Sequence, residues 1–331
     1  MLEKPDLPEQ SILLHLQIEY GLQADQVTFL PLGADVNTAV YRVDARAGTA
    51  YFLKLRKGAF DAITLIVPQF LRAQGIRAVI PPLETTAGQS WATLDEYMTI
   101  LYPFIQGVNG YKAELSERQW VDFGEALKAI HTVQAPTELA RRIPRETYPP
   151  DWREMVKTFQ AQVETVEFDD PVAARLAAFM RHRRAEIAHL VRRAEELGRL
   201  LQSRPIPFVL CHADIHAGNL LLSANDSLYI VDWDNPVYAP KEHDLMHIGG
   251  SSTWNSPRTQ ELFYQGYGPV KIDQIALPYY RYERIVQDIA EFCKLLLWTS
   301  AGGADREQSY GYFTGQFLPG HEVEIARATD M

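Results

Sequence analysis

Two aspartates and an asparagine that could bind a metal ion stand close together in the sequence: Asp214, Asn219 and Asp232. The apolar run 228–231 ends at Asp232, and the polar turn 225–227 before it predicts a hairpin that returns the chain toward Asn219. Carboxylate and amide oxygens are the ligands that Mg²⁺ prefers, and substrate phosphates often complete its shell. The stretch therefore predicts a magnesium site that handles a phosphorylated compound.

The spacing of these residues is also that of a kinase catalytic loop. In protein kinases an Asp that accepts the proton of the substrate hydroxyl lies shortly before a metal-binding Asn, and a second metal-binding Asp follows. Asp214 and Asn219, five positions apart, have this spacing, and Ile-Val-Asp-Trp-Asp follows at 230–234. With His212 before them, these motifs resemble the aminoglycoside phosphotransferase family and its choline kinase and methylthioribose kinase relatives.

The resemblance implies an α+β fold of the protein-kinase-like, bilobal type. Residues 1–102 would form a small nucleotide-binding lobe built on an antiparallel sheet, 103–107 a hinge, and 108–331 a mainly helical lobe for catalysis and substrate binding. The resemblance also implies ATP as the phosphoryl donor and Mg²⁺ as the metal ion. Asp214 would then act as the catalytic base, and Asn219 and Asp232 would be the metal ligands.

Lys54 is the expected contact to the nucleotide phosphates. In the alternating strand pattern 51–55 it faces away from the leucines. The resemblance implies that this strand lysine pairs with the phosphates of ATP, held by an acid from the following helix. Asp61 is the only acid in the segment 57–75. Either Asp61 takes that part from a displaced helix, or the nucleotide alone orients the lysine.

Two loops are the expected contacts to the rest of the nucleotide. The turn that contains Gly33, Asp35 and Asn37 would cover the phosphates with backbone N–H groups, and a plain hairpin turn is the alternative. By resemblance, the C=O of Pro103 would accept a hydrogen bond from the adenine amino group, and the N–H of Ile105 would donate to the ring. A surface crossover is the alternative for this apolar linker.

A small cationic molecule is the expected acceptor. The net charge of -10 favours the attraction of cations. The motifs Tyr-Pro-Phe-Ile at 102–105, Ala-Pro-Lys-Glu-x-Asp-Leu-Met at 239–246 and Tyr-Tyr-Arg-x-Glu-Arg-Ile-Val at 279–286 resemble the branch of the family that phosphorylates the aminocyclitol spectinomycin, and this resemblance implies antibiotic resistance. Candidate substrate contacts are His216, Asp234, Arg281, Glu283 and Asp288. The last three fall on one helix, where they form either a solvated face or an acidic wall for the cation.

Other functions stay open on the sequence alone. A hydrolase could bind zinc or a metal pair with His212, Asp214, His216, Asp232, His243, Asp244 and His247. It would need neither Asn219 nor Lys54, which favours the kinase. Within the kinase hypothesis, choline, homoserine or methylthioribose could replace the antibiotic as acceptor. The missing helix glutamate also allows a nucleotide-binding regulator that transfers nothing.

Composition limits the class of protein. With 331 residues, 47% of them hydrophobic and 22% charged, the chain has the composition of a soluble globular protein with two lobes of ordinary size. Its acidity argues against a nucleic-acid partner, and no apolar run approaches the roughly 18 residues that a membrane helix needs. Two cysteines are too few for a disulfide framework. We expect a cytoplasmic monomer that binds neither nucleic acid nor membranes.

The elements that must position these residues follow from periodicity. A helix is predicted up to Gly21, and Ser116 with Gln119 predicts a capping box that begins another. Further helices are expected at 151–163 and 171–201. The β-rich runs predict strands at 27–32, 39–43, 51–55, 76–83, 90–93 and 97–101.

Overall fold

The computed structural model describes residues 4–32, 37–58, 60–299, 303 and 305–330, and the chain divides into two units. The first unit comprises Met1–Ile143 and Asp214–Pro236, and the second comprises Pro144–Ala213 and Val237–Met331. The boundaries of the lobes, predicted near residues 102 and 108, stay a prediction. A return of the chain to the first unit at Asp214 was not expected from the sequence.

Within the described residues, helices occur along the whole chain and strands form three small sheets. The helices are α1 Glu9–Tyr20, α2 Ile63–Ala73, α3 Glu117–Thr132, α4 Thr137–Arg142, α5 Asp151–Thr165, α6 Pro171–His182, α7 Arg184–Gln202, α8 Glu242–Leu245, α9 Pro257–Tyr267, α10 Ala276–Leu297, α11 Asp305–Gly315 and α12 Glu322–Thr329. The strands are β1 Ala24–Leu30, β2 Thr38–Ala45, β3 Ala50–Arg56, β4 Ala92–Leu94, β5 Tyr97–Pro103, β6 Gly107–Asn109, β7 Val209–Cys211, β8 Leu220–Ser223, β9 Leu228–Ile230 and β10 Val237–Ala239. A short 3-10 helix spans Ala217–Asn219. None of the helices in the described part of the chain has the length and apolar character to span a membrane.

The first unit is built on an antiparallel sheet with the strand order β1-β2-β3-β5-β4. β3 lies in its centre, where Leu53 and Leu55 are fully buried in the same apolar cluster as Ile12 and Leu16 of α1. Because successive side chains of a strand point to opposite faces, Lys54 between the two leucines faces the other way. The predicted antiparallel arrangement is confirmed.

One predicted strand is wrong. Residues 76–83 form no strand, because the two consecutive prolines in this segment lack the N–H groups that a ladder needs. Val79 makes only an isolated bridge with Ile230, whose N–H donates to Ala78 O at 2.7 Å. The segment therefore contacts β9 at Ala78 and Val79, and at its other end the N–H of Leu83 donates to Leu101 O of β5 at 2.7 Å.

A second sheet, with the order β6-β8-β9, positions the predicted metal ligands. β8 and β9 pair antiparallel around the polar turn, with Leu220 opposite Ile230, so the predicted hairpin is confirmed. The N–H of Val231 then donates to Asn219 O at 3.0 Å. Asn219 and Asp232 therefore lie at the same end of this hairpin.

The second unit is mainly helical. Ile285, Val286 and Ile289 of α10 are buried in one large apolar cluster together with residues of α5 and α7. The single helix predicted at 171–201 is wrong, because the chain breaks into α6 and α7 at Arg183, whose φ of -95° and ψ of 12° leave helical geometry. No glycine or proline marks this break. β7 and β10 form a two-stranded antiparallel sheet.

Candidate active site

Lys54 meets two carboxylates of the stretch that follows β9. Its Nζ lies 3.1 Å from Asp232 Oδ1 and 3.0 Å from Asp234 Oδ2, and its side chain is 14% exposed. Burial alone would lower the pKa of Lys54, but the two carboxylates outweigh burial and raise the pKa above its ordinary value. Lys54 is therefore a charged group held at the end of the hairpin.

Arg56 is a second cation at this place and was not predicted from the sequence. Its Nη1 lies 3.0 Å from Asp234 Oδ2, so Asp234 bridges Arg56 and Lys54. Arg56 stands two positions after Lys54 in β3, and alternate residues of a strand share one face. The alternation of side chains along β3 could therefore have predicted Arg56 as a residue of the site.

The backbone at Asp232 is in the left-handed region, with φ 65°. Such a conformation is costly for a residue other than glycine and clusters at functional sites. The next residue holds the turn, because the buried indole of Trp233 donates from Nε1 to Ile230 O at 3.2 Å. The Asp232 side chain stays 49% exposed, so its carboxylate can contact a bound ion as well as Lys54.

Asn219 connects the predicted base with the predicted metal site. Its Nδ2 donates to Asp214 O at 2.8 Å and lies 3.5 Å from Asp214 Oδ2. The amide nitrogen therefore faces Asp214, and the amide oxygen is turned away from it. An amide oxygen and the Asp232 carboxylate at one end of a hairpin form a donor set that fits Mg²⁺.

Comparison with family models agrees with this geometry. The model of the APH family, described as the phosphotransferase enzyme family, matches residues 28–280. The chain belongs to this family. It is therefore a small-molecule phosphotransferase, and the hypothesis of a metal-dependent hydrolase is wrong.

Solved structures support the same conclusion for this APH-family enzyme. It is 38% identical to spectinomycin phosphotransferase, APH(9)-Ia, in complex with ADP and spectinomycin, over 98% of this chain and 99% of that chain, with a TM-score of 0.92. An AMP-bound complex of spectinomycin phosphotransferase is 36% identical, over 98% and 100% of the two chains, with a TM-score of 0.88. Amicoumacin kinase hAmiN, solved with AMP-PNP and Ca²⁺, is 18% identical over 98% and 94% of the chains, with a TM-score of 0.62, and shares the fold alone. The predicted kinase-like α+β class is confirmed.

Asp244 and His243 of α8 make contacts with neighbouring residues of the second unit. Asp244 is fully buried, and its carboxylate oxygens accept the backbone N–H groups of His212 and Ala213 at 2.9 and 2.8 Å. His243 packs its ring against Tyr280, with centroids 4.4 Å apart, and burial lowers the pKa of His243. These contacts hold α8 and the chain after β7 in place, so Asp244 has a structural role.

Asp61 contacts the beginning of the helix after β3. Its Oδ1 accepts the N–H of Ile63, the first residue of α2, at 2.9 Å. Lys54 pairs instead with Asp234, which Arg56 also holds. In the described residues Lys54 thus pairs with Asp232 and Asp234, and the roles of Asp61 toward the lysine and of Asp234 toward substrate stay predictions.

We expect Asp234→Asn to raise KM for ATP about tenfold, which corresponds to roughly 1.4 kcal/mol of binding free energy. Without the carboxylate, Lys54 loses one of the two groups that orient it toward the phosphates, and Arg56 loses its partner. Asp61→Asn is the matched control, because the amide oxygen of Asn can accept the N–H of Ile63 as the carboxylate does. Steady-state kinetics over a range of ATP concentrations measures both variants. A larger rise in KM for Asp61→Asn would show that Asp61 orients the lysine.

The predicted nucleotide loops are placed only in part. Gly33 and Asp35 lie outside the described residues. The backbone oxygen of Asn37 accepts a hydrogen bond from the N–H of Lys57, just after β3, at 2.9 Å. Pro103 ends β5, and the N–H of Ile105 makes no backbone hydrogen bond with the described residues. The Ile105 N–H can therefore donate to a ligand, and its contact with adenine stays a prediction.

The α10 residues that were predicted to contact substrate have partners inside the second unit. Arg281 donates from Nε to Met246 O at 3.1 Å and from Nη2 to Ile248 O at 2.8 Å, and burial lowers the pKa of Arg281 to about 10. Asp288 pairs with Arg284 at 3.0 Å. Charges that pack inward on a helix face need partners inside the protein, and contact of these residues with a cationic substrate stays a prediction.

Glu283 of α10 is half-buried beside Arg153, with its Oε2 3.4 Å from the arginine Nε. Burial raises the pKa of Glu283 from 4.5 to about 7, although Arg153 acts in the opposite direction. The folded state therefore binds this proton more tightly than the unfolded chain does. Stability is consequently lost as the pH rises from about 4.5 through about 7, and the loss persists at higher pH.

Glu283→Gln should remove this loss of stability. Relative to wild type, the free energy of unfolding of the variant should rise by about 3 kcal/mol between about pH 4 and about pH 8. Arg153 keeps carbonyl partners at Tyr148 and Pro149 in the variant, so it is not left unpaired. Urea unfolding at each pH measures the difference, and Glu291→Gln at an exposed site of α10 controls for the loss of a carboxylate. A difference that is constant with pH would contradict the prediction.

Proposed function

We propose that this phosphotransferase transfers the γ-phosphoryl group of ATP to a hydroxyl of spectinomycin or a closely related aminocyclitol, with Mg²⁺ bound. The observation that carries the proposal is the convergence of Lys54, Asp232 and Asn219 at one end of the hairpin, with Asn219 bonded to Asp214. The choice of acceptor is supported by the 38% identity to an enzyme solved with ADP and spectinomycin. Resistance to the antibiotic would be the biological consequence.

In the proposed reaction the hydroxyl oxygen of the acceptor forms a bond to the γ-phosphorus while the bond from this phosphorus to the bridging oxygen breaks. Asp214 accepts the hydroxyl proton, and ADP leaves with the electron pair of the broken bond. Lys54 binds the phosphate oxygens and neutralises part of their charge. Little covalent chemistry is required of the protein, because positioning and charge neutralisation carry most of phosphoryl transfer.

The nucleotide and the metal ion would use residues of the first unit. Asn219 and Asp232 would hold Mg²⁺, which when bound neutralises charge on the phosphates. Pro103 C=O and Ile105 N–H would bind the adenine edge. The turn before β2 would cover the phosphates, and a monomeric state and a cytoplasmic location also stay predictions.

The test is ATP consumption by the purified enzyme against several acceptors in parallel. Spectinomycin, an aminoglycoside, choline, homoserine and methylthioribose are compared, each with Mg²⁺ and with EDTA. We expect ADP release that requires spectinomycin and Mg²⁺, and a product heavier by one phosphoryl group. Turnover with choline or methylthioribose alone would favour another acceptor. No turnover with any of these acceptors would contradict the proposed choice of acceptor.

A further inference from the structure

His216 lies next to the proposed base and has a fixed ring orientation. The N–H of Gly218 donates to His216 Nδ1 at 3.0 Å, so Nδ1 carries no proton and the neutral ring carries it on Nε2. This Nε2 lies 3.6 Å from Asp214 Oδ2. The ring nitrogen that carries the proton therefore lies beside the carboxylate that would accept the hydroxyl proton.

Packing keeps the imidazole in this place. The rings of His216 and Tyr111 are stacked, with centroids 5.8 Å apart and an interplanar angle of 22°, and the tyrosine hydroxyl lies 3.5 Å from Nδ1. Gly218 makes this stack possible, because a Cβ at position 218 would come within 2.7 Å of His216 Cε1 and 2.9 Å of Tyr111 Cε2. The imidazole is thus held by a backbone hydrogen bond on one side and by an aromatic ring on its face.

Two donors converge on one oxygen of Asp214. Asn219 Nδ2 lies 3.5 Å from the same Oδ2 that His216 Nε2 approaches. A carboxylate rotates broadly about its last side-chain bond, and two N–H groups near one oxygen restrict this rotation. Both distances are long for hydrogen bonds, as catalytic contacts often are before the substrate binds, and such contacts tighten in the reacting complex.

We infer that His216 is a positioning residue, which orients the Asp214 carboxylate toward the acceptor hydroxyl through its Nε2–H. The inference rests on the proposed phosphoryl transfer to a hydroxyl, and it replaces the expectation that His216 contacts the substrate. The imidazole acts through Asp214 and does not touch the reacting atoms. Loss of the Nε2–H therefore lowers kcat without changing the binding of ATP or acceptor.

Two substitutions distinguish the positioning of Asp214 by His216 from a role limited to accepting the N–H of Gly218. In His216→Asn the side-chain oxygen can replace Nδ1 as the acceptor for Gly218 N–H, but no N–H reaches Asp214. In His216→Gln the longer amide can direct an N–H to Asp214, but Gly218 loses its acceptor. We expect kcat to fall about tenfold to a hundredfold in His216→Asn and less than about threefold in His216→Gln, with each KM within about twofold of wild type.

The measurements are kcat, KM for ATP, KM for the acceptor that the wild-type enzyme phosphorylates, and the thermal unfolding midpoint. His189→Asn, at an exposed position of α7, is the control. If kcat were lower in His216→Gln than in His216→Asn, His216 would serve only to hold the turn, and the inference would be overturned. A raised acceptor KM with unchanged kcat would also overturn it. A wild-type enzyme that phosphorylates no acceptor would overturn the proposed function too, and this result is visible before any variant is tested.

Discussion

Asp214→Asn is expected to lower kcat by about a thousandfold and to leave KM for ATP unchanged. The variant keeps the size of the side chain, but an amide cannot accept the proton of the acceptor hydroxyl. The ion pair of Lys54 with Asp232 does not involve this side chain, so the proposed phosphate contacts are preserved. ADP release at saturating acceptor measures kcat, and a titration with ATP measures KM.

Asp226 offers a matched control for this experiment. It is exposed in the turn between β8 and β9 at φ 64°, a conformation that Asn adopts readily. Asp226→Asn should therefore keep the kcat of the wild-type enzyme. If Asp214→Asn kept more than about a tenth of the wild-type kcat, the hydroxyl proton would leave by another route and Asp214 would not be the base.

Asp232→Asn should abolish the effect of Mg²⁺ on ATP binding and lower kcat/KM for ATP by about a hundredfold or more. Asn tolerates the left-handed backbone at φ 65°, so the variant changes the charge of the residue more than its shape. The change removes a carboxylate ligand that Mg²⁺ prefers. Lys54 also loses one of its two acidic partners. Both losses weaken binding of the phosphates.

Titration of the enzyme with ATP, in Mg²⁺ and in EDTA, checks this prediction. The wild-type enzyme should bind ATP more tightly in Mg²⁺, and Asp232→Asn should bind it equally in both buffers. Asp234→Asn is the informative comparison, because Asp234 pairs with Lys54 and Arg56 and is not a proposed metal ligand. Its affinity should still respond to Mg²⁺. An undiminished response in Asp232→Asn would remove Asp232 from the metal site.

Much of the candidate site could be predicted from the sequence because its signals are local. The spacing of Asp214 and Asn219, the polar turn between β8 and β9, and the alternation along β3 each depend on a few neighbouring residues. The capping box of α3 is confirmed for the same reason, with Ser116 Oγ accepting from Gln119 N–H at 3.1 Å and Gln119 Oε1 accepting from Ser116 N–H at 2.9 Å. Such patterns are satisfied within one element or one turn.

Local patterns were a poor guide where the same composition is compatible with two different structures. The β-rich run 76–83 had the composition of a strand, but its prolines cannot donate to a ladder. The charges of α10 had the composition of a solvated surface or a binding face. Arg281 and Glu283 are half-buried, with partners at Met246 and Arg153 that lie far away in the chain.

The sequence by itself determined which groups could carry out phosphoryl transfer and which of them share a loop or a strand. Only the tertiary structure decided which acid holds Lys54. Asp61 is seven positions away in the chain and accepts the N–H of Ile63, whereas Asp234 is 180 positions away and lies 3.0 Å from Lys54 Nζ. An ion pair depends on distance in space. Strand packing creates that proximity, and contacts across so many residues leave no signal in the residues beside either partner.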